Sequence, residues 1–88
     1  MSEQESLIEY PSRFPIKVMG LTHPDFSQTI FEVVRVHAPD IVEADIEIRA
    51  SSGGNYVSLT VTITAVSREQ LDNIYRALTG HPMVKYVL

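Results

Sequence analysis

Residues 51–64 read SSGGNYVSLTVTIT, a glycine pair between hydroxyl and amide side chains followed by an alternation of apolar and polar residues. From Val57 onward every second residue is apolar, and the residues between carry hydroxyl groups. A period of two predicts a strand with one buried face. Paired glycines beside a strand favour a hairpin turn, which we assign to Ser52, Gly53, Gly54 and Asn55.

The residues before the glycines complete the hairpin. Apolar side chains alternate with charged ones from Val42 to Ala50, as expected for a strand with one apolar and one charged face. If Gly53 and Gly54 form a two-residue primed turn, Ala50 pairs with Val57. The apolar residues that precede Ala50 then pair in turn with the apolar residues that follow Val57. In this register the apolar residues of both strands face the same core. A slip of one residue would turn the apolar residues of one strand to the opposite face of the sheet.

The same glycines have an alternative interpretation as a phosphate cradle. Phosphate-binding glycine loops lead from a strand into a helix, whose N-terminal amides and dipole meet the anion. Here the glycines join two strands, and the sequence has no GxxxxGK[ST] pattern. We therefore interpret the glycines as a structural turn.

Two further strands and two helices follow from the rest of the chain. Residues 14–20 alternate as FPIKVMG, which predicts strand one, and MVKYVL at 83–88 predicts strand four. Apolar residues recur with a period of 3.6 over 26–37, which predicts helix one. Ser67 and Gln70 have the spacing of a capping box, which predicts the start of helix two.

These elements follow the order β-α-β-β-α-β, which is typical of the α+β ferredoxin-like fold. We predict a four-stranded antiparallel sheet in the spatial order 4-1-3-2, with both helices on one face and the other face open. A length of 88 residues fits a single domain. We assign residues 13–88 to this domain and residues 1–12, with a short apolar patch at Leu7, Ile8 and Tyr10, to a flexible N-terminal lead-in.

Composition narrows the function classes. The net charge is −4 and the seven Lys and Arg residues are scattered, whereas nucleic-acid binding draws on clustered positive charge. The outward residues after Tyr56 are Ser and Thr, so the stacking platform of an RNA-recognition fold is missing. No apolar run reaches the roughly 20 residues of a membrane span, and the acidic N-terminus is unlike a signal peptide. We predict a cytoplasmic protein that binds neither nucleic acid nor membrane.

No complete catalytic or metal-binding set occurs in the sequence. The absence of cysteine removes thiolate nucleophiles and thiolate metal ligands. Acylphosphatases share this fold and hold phosphate with an arginine after strand one, but GLTHPDF at 20–26 contains no arginine. Ser67, Asp72 and the three histidines lie on separate predicted elements, without a nucleophile-elbow pattern. We predict a protein without enzymatic activity, cofactor or bound metal.

The open sheet face and the loop after strand one form the candidate ligand site. Lys17 of strand one and the threonines of strand three face the same side of the predicted sheet. The loop at 20–25 borders this face, at a place where ferredoxin-like regulatory domains commonly hold small effectors. We predict a ligand-binding set of Lys17, Gly20, His23, Pro24, Asp25, Thr60 and Thr62.

Four short motifs occur in order along the chain: IKVMG at 16–20, VHAP at 36–39, SSGGNY at 51–56 and VKYVL at 84–88. Through them the chain resembles the YbeD-like family of small bacterial proteins, long catalogued as uncharacterised. The resemblance implies an ACT-like sandwich, the regulatory module that binds amino acids in metabolic enzymes, and a proposed role in lipoate metabolism.

We therefore predict a non-enzymatic regulatory or small-ligand-binding protein that is linked to lipoate metabolism, takes a small-molecule effector and self-associates as a homodimer. The alternative is a protein-protein interaction module that uses the open sheet face or the exposed edge of strand two to bind a protein partner.

Overall fold

The structure, a computed structural model, describes residues 9–88 and confirms the predicted order of elements. The strands form one antiparallel sheet in the order β2-β3-β1-β4, which is the predicted order 4-1-3-2 read from the other edge. The α+β ferredoxin-like sandwich is therefore confirmed. The strands are β1 (Ser12–Leu21), β2 (Ile46–Ala50), β3 (Tyr56–Ala65) and β4 (Val84–Val87), and the helices are α1 (Phe26–His37) and α2 (Arg68–Thr79).

The hydrophobic core lies between the sheet and the two helices. The odd-numbered apolar residues of β3 from Leu59 to Ala65 are completely buried, as the alternation predicts. They share one cluster with Ile30 and Val34 of α1 and Ile74 of α2, which are also completely buried. Full burial of an aliphatic side chain of this size stabilises a fold by roughly 1.5–3 kcal/mol. Among the elements of residues 9–88, none packs on the opposite face of the sheet in this way.

The predicted register of the β2–β3 hairpin is confirmed. Ala50 pairs with Val57, and Ile48 pairs with Leu59. The apolar residues of both strands therefore face the helix side of the sheet. However, Ile48 remains 62% exposed. Strand β2 lies at the edge of the sheet, and the helices leave its apolar side largely uncovered.

The turn of this hairpin differs from the predicted two-residue primed turn on Gly53 and Gly54. The N–H of Gly54 donates to the carbonyl of Ser51 at 3.0 Å, so Ser52 and Gly53 occupy the centre of the turn. Within residues 9–88 only Gly54 has a positive φ, of 74°, whereas a type I′ turn needs positive φ at both central residues. Gly54 supplies the left-handed conformation that follows the turn, and Gly53 has room for a side chain.

Strand β2 begins at Ile46 and not at Val42, which corrects the predicted start. Residues Glu43–Asp45 form a turn of 3-10 helix, because the Asp45 carboxylate accepts a hydrogen bond from the Val42 N–H at 3.0 Å. The same carboxylate pairs with the Arg13 guanidinium of β1 at 2.7 Å. These two contacts hold the backbone in a turn where the alternation of the sequence suggested an extended chain.

Asp45 makes part of the stability depend on pH. The hydrogen bond from the Val42 N–H, and then that from Arg13, lowers the pKa of Asp45 below its ordinary value of 3.8. Such a carboxylate contributes stability above its unfolded pKa, and this contribution is lost as the pH falls through the lower, folded pKa. We expect Asp45→Asn to lower the urea midpoint of unfolding at neutral pH, and the difference from the wild type to shrink in acid.

The control for this prediction is Asp40→Asn. Asp40 is exposed and makes no side-chain hydrogen bond within the described part of the chain. Its replacement removes the same charge and is expected to leave the midpoint unchanged at either pH. An Asp45→Asn difference of the same size at neutral and acidic pH would contradict the assigned role.

The predicted N-terminal lead-in is described only in part. Leu7 and Ile8 of its apolar patch lie outside the described residues. Tyr10 is partly buried against the core. Ser12 already belongs to β1, where it pairs with Ala65. Ordered structure thus reaches into the range assigned to the lead-in.

The two helices begin differently. In α2 the Ser67 hydroxyl accepts a hydrogen bond from the Gln70 N–H at 3.0 Å, as the predicted capping box requires. The Gln70 side chain bonds one residue further back, where it accepts from the Val66 N–H at 2.7 Å. In α1 the N-cap residue Asp25 makes no side-chain capping bond. Neither helix in residues 9–88 combines the length and the hydropathy needed to cross a membrane.

Candidate functional site

No helix or strand within residues 9–88 covers the side of the sheet that faces away from the helices, and we call this side the open face. The strand register arranges its side chains in rows that run across the strands. One row holds Lys17 of β1, Thr60 of β3 and Glu47 of β2. The next row holds Met19, Ser58 and Arg49 in the same order.

A shallow depression of about 420 Å³ lies where these two rows meet β2. Lys17 and Arg49 make no side-chain hydrogen bond or ion pair within residues 9–88, and neither do the hydroxyl groups of Ser58 and Thr60. The depression therefore contains two cations against the single carboxylate of Glu47, in a chain whose net charge is −4. It is lined by Lys17, Glu47, Ile48, Arg49, Ser58 and Thr60.

The neighbouring end of the open face is polar but internally satisfied. Arg13 donates to the Thr64 hydroxyl at 3.0 Å and to the Asp45 carboxylate at 2.7 Å. Its charge is thus compensated within the domain. Free hydrogen-bond donors are found further along the sheet, around Lys17.

An apolar corner occupies the other end of the open face. Met19 pairs with Tyr86 on β4, Leu21 pairs with Tyr56 on β3, and Leu88 forms two backbone hydrogen bonds with Lys17. Leu21, Tyr56, Tyr86 and Leu88 are between 46% and 66% exposed. We define these four residues and Met19 as the apolar corner. It adjoins the depression, because Met19 lies beside Ser58.

Gly20 does not lie on the open face, although it was predicted as a ligand residue. It is buried and faces the helix side of the sheet, beneath the ring of Phe26. A Cβ atom at this position would overlap the Met83 carbonyl oxygen and the Phe26 ring. The space beside Gly20 is therefore filled by the protein itself.

The loop after β1 is bound to the hairpin turn. The Thr22 N–H donates to the Asn55 carbonyl at 3.0 Å, and the Thr22 hydroxyl donates to the Gly54 carbonyl at 2.7 Å. His23 Nδ1 accepts a hydrogen bond from the Asp25 N–H at 3.0 Å. Two hydrogen bonds from Thr22 thus fix the start of the loop to the hairpin turn. The sequence pattern did not indicate this contact.

The structure separates the predicted ligand residues into groups. Lys17 and Thr60 share one row and line the depression. Thr62 lies in the following row beside Pro15. His23, Pro24 and Asp25 are exposed beyond the end of β1, and Gly20 belongs to the core side. The confirmed hairpin register pairs Arg49 with Ser58, and both line the depression. The sequence-based prediction omitted these two residues.

Side chains considered for catalysis are engaged in local structure. The Ser67 hydroxyl caps α2. His81 Nδ1 accepts a hydrogen bond from the Met83 N–H at 3.1 Å, as His23 does from Asp25. In the described range 9–88 no group of three acidic or imidazole side chains is placed to hold a metal ion.

Comparisons with known proteins agree with this fold. A family model described as "Protein of unknown function (DUF493)" matches residues 5–88. A UPF0250 protein of Janthinobacterium sp. is 70% identical over 84 residues, which cover 96% of this chain and 92% of the relative. Another from Chromobacterium violaceum is 63% identical over 86 residues, covering 98% and 97%.

Among solved structures, the solution structure of protein HP0495 from H. pylori superposes on this chain with a TM-score of 0.76. The alignment covers 92% of this chain and 85% of that one, at 17% sequence identity. This likeness supports the sandwich fold and extends no further.

Proposed function

Because this chain belongs to the DUF493 family of proteins of unknown function, we propose its role from the geometry of its own surface. It is a non-enzymatic, cytoplasmic regulatory protein that binds a small carboxylate-bearing molecule in the depression on the open face. The UPF0250 relatives confirm the resemblance to YbeD-like proteins. That resemblance motivates the further proposal that the ligand comes from lipoate metabolism.

The observation that carries this proposal is the set of donors without a protein partner around the depression. Lys17 and Arg49 supply positive charge, and the hydroxyl groups of Ser58 and Thr60 lie between them in adjacent rows. Arg13, two rows away from Lys17, is already paired with Asp45. A carboxylate forms its strongest hydrogen bonds with charged donors of this kind.

The apolar corner supports a ligand that also has a hydrocarbon part. Met19 follows Lys17 on the open face of β1 and pairs with Tyr86. A carboxylate held at Lys17 therefore has an apolar path for an attached chain across Met19. Each CH₂ group that is buried along such a path contributes about 0.8 kcal/mol. Octanoate and lipoate, which carry a carboxylate on a short carbon chain, have this combination.

We expect octanoate and lipoate to bind the wild type, and Lys17→Gln to weaken the affinity about tenfold, because a charge-assisted hydrogen bond to the carboxylate is lost. Isothermal titration calorimetry measures the affinity. Amide chemical shifts in labelled protein locate the ligand, and the largest changes are expected at Ser58 and Thr60.

Lys85→Gln is the matched control. It removes the same charge from an exposed side chain that does not line the depression, and it is expected to leave the affinity unchanged. Raising the ionic strength should weaken binding more in the wild type than in Lys17→Gln, because salt screens the charge of Lys17, which the variant lacks. Equal affinities for the two lysine variants, or shifts confined to residues 23–25, would refute the proposed site.

A second candidate function, docking of a protein partner, is favoured by the apolar corner. The four exposed side chains of this corner, which are between 46% and 66% exposed, form a surface of the kind found in protein interfaces. Two of them, Tyr56 and Tyr86, belong to a residue type enriched in binding hot spots. Capture of a stoichiometric partner by the wild type, but not by a Tyr56→Ser and Tyr86→Ser double variant, would support this function over the first.

A further inference from the structure

A second, smaller cavity lies on the open face beside the depression. It has a volume of about 170 Å³ and shares Arg49 and Ser58 with the depression. The two cavities are therefore contiguous, and one ligand can occupy both. On the open face this cavity, which we call the tail pocket, is lined by Met19, Arg49, Ser51, Tyr56 and Ser58.

The tail pocket continues the rows of the open face toward the hairpin turn. Lys17 stands in the first row, Met19 in the second and Leu21 in the third, each two residues further along β1. Tyr56 pairs with Leu21, so its side chain belongs to the third row. Because β3 begins at Tyr56, the hairpin turn follows directly behind this row. The depression thus lies between the first two rows, and the tail pocket lies between the second and the third.

The tail pocket is apolar where the depression is polar. Its walls are the half-buried side chain of Met19, the Tyr56 ring and the aliphatic stem of Arg49. At its far end the Ser51 hydroxyl accepts a hydrogen bond from the Tyr56 N–H at 3.2 Å, and the Ser51 N–H donates to the Tyr56 carbonyl at 2.9 Å. These polar groups are therefore engaged in the hairpin, and the pocket suits an uncharged hydrocarbon group.

The separation of the rows corresponds to a carbon chain of defined length. Two residues of a strand span about 6.8 Å, so a carboxylate midway between the first two rows lies roughly 10 Å from the third. An extended hydrocarbon chain advances about 1.3 Å per carbon, given C–C bonds of roughly 1.5 Å. The first four carbons of such a ligand reach the row of Met19, and the next four lie between Met19 and Tyr56.

We propose that the tail pocket holds the end of the ligand's hydrocarbon chain and that Tyr56 determines which chain length the protein selects, a proposal that rests on the carboxylate site at Lys17. The preferred ligands are then unbranched carboxylates of about eight carbons. The Tyr56 ring packs on the last of these carbons. Longer chains extend past the ring, where the hairpin turn offers no further cavity.

Met19 offers two directions to such a chain, and the shape of the surface favours one of them. Tyr86 of β4 lies on one side of Met19, and Ser58 of β3 lies on the other. Tyr86 lines neither the depression nor the tail pocket. A chain that runs toward Tyr56 is covered on more sides, and each CH₂ group removed from water strengthens binding about fourfold.

A series of unbranched acids tests the selection of chain length. Nuclear magnetic resonance titrations of the wild type with butyrate, hexanoate, octanoate and decanoate give the dissociation constants. Octanoate should bind at least about tenfold more tightly than butyrate, because only the longer chain enters the tail pocket. Decanoate should gain no more than about twofold over octanoate, because its last two carbons remain in water.

Substitutions separate the tail pocket from the carboxylate site. Tyr56→Ala should weaken octanoate about tenfold and leave butyrate unchanged, because the ring contacts only the far carbons. Lys17→Gln should instead weaken both acids by the same factor. Tyr86→Ala removes a ring of similar exposure, 48% against 46% for Tyr56, and should leave the octanoate-to-butyrate ratio at its wild-type value.

Two conservative variants keep the test independent of folding defects. Tyr56→Phe retains the ring and should retain the wild-type ratio. Tyr56→Trp narrows the pocket with a larger ring and should reduce the gain from hexanoate to octanoate. Circular dichroism of each variant verifies the fold.

The outcomes distinguish this proposal from the proposed function. Failure of every acid to bind would overturn both. Binding that Lys17→Gln weakens, but that does not strengthen from butyrate to octanoate, would overturn the role of the tail pocket alone. Equal losses of butyrate and octanoate in Tyr56→Ala would do the same, and so would a ratio that falls in Tyr86→Ala but not in Tyr56→Ala, since the chain would then run toward β4.

Discussion

Replacing Gly20 by alanine is expected to destabilise the domain by about 2 kcal/mol or more, although it adds a single methyl group. The new Cβ would lie 2.5 and 2.9 Å from two ring carbons of Phe26, and it would overlap the carbonyl oxygen of Met83. The ring is only 1% exposed and belongs to the core, and the carbonyl is part of the backbone before β4. Neither group can move aside without loss of packing elsewhere.

Chemical denaturation of Gly20→Ala, compared with Gly53→Ala, measures this effect. At Gly53 the nearest atom to an added Cβ is the Asn55 amide nitrogen at 3.7 Å, an ordinary contact, and the φ angle is not positive. Gly53→Ala should therefore change stability by less than about 0.5 kcal/mol. A Gly20→Ala protein of normal stability that fails to bind the ligand would instead support the original assignment of Gly20 to the ligand site.

A double-mutant cycle identifies Phe26 as the cause. Phe26→Leu is expected to destabilise the wild type by leaving space beside Gly20, but to be less harmful in the presence of Gly20→Ala. The coupling free energy between the two changes should be about 0.5–3 kcal/mol, as found for residues in direct contact. A coupling near zero would show that the Met83 carbonyl alone opposes the methyl group.

The sequence patterns predicted the architecture because each pattern reported a local property. The parity of apolar residues on either side of Gly53 and Gly54 was sufficient to predict the β2–β3 register. It did not predict the turn, because the type of turn depends on φ angles that either glycine can adopt. The same pattern placed Val42 in a strand, because apolar and charged residues already alternate from Val42 onward. The alternation does not reveal the hydrogen bond from the Val42 N–H to Asp45.

The candidate site was less predictable because it depends on which charges remain unpaired after folding. Arg13 and Lys17 occupy equivalent positions on the open face of β1 in the sequence pattern. Only the tertiary structure shows that Arg13 is paired with Asp45 while Lys17 lines the depression. Tyr86 reaches the open face through the irregular pairing of β1 with β4 near Met19, which the alternation of a short strand does not reveal.

Burial along β2 and β3 shows the same limit. Ile48 and Leu59 are register partners on the helix side of the sheet, and the alternation assigns both to the core. Leu59 is completely buried, whereas Ile48 is 62% exposed at the edge. A pattern of period two reports which face a residue occupies, but it does not report how far the helices extend across that face.

Leu59→Ala and Ile48→Ala are therefore expected to differ strongly in their effects. Leu59→Ala removes buried methyl groups and leaves a cavity between sheet and helices, which should lower the free energy of unfolding by about 2–5 kcal/mol. Ile48→Ala removes mostly exposed surface and should cost less than about 1 kcal/mol in the monomer. Urea denaturation at low protein concentration measures both values without a contribution from association.

The contrast between the two variants rests on how far the helices cover the sheet. A large loss of stability in Ile48→Ala would mean that the helix side of β2 is covered within the chain, against its 62% exposure. A Leu59→Ala protein of nearly normal stability would mean that the sheet and the helices close over the lost volume.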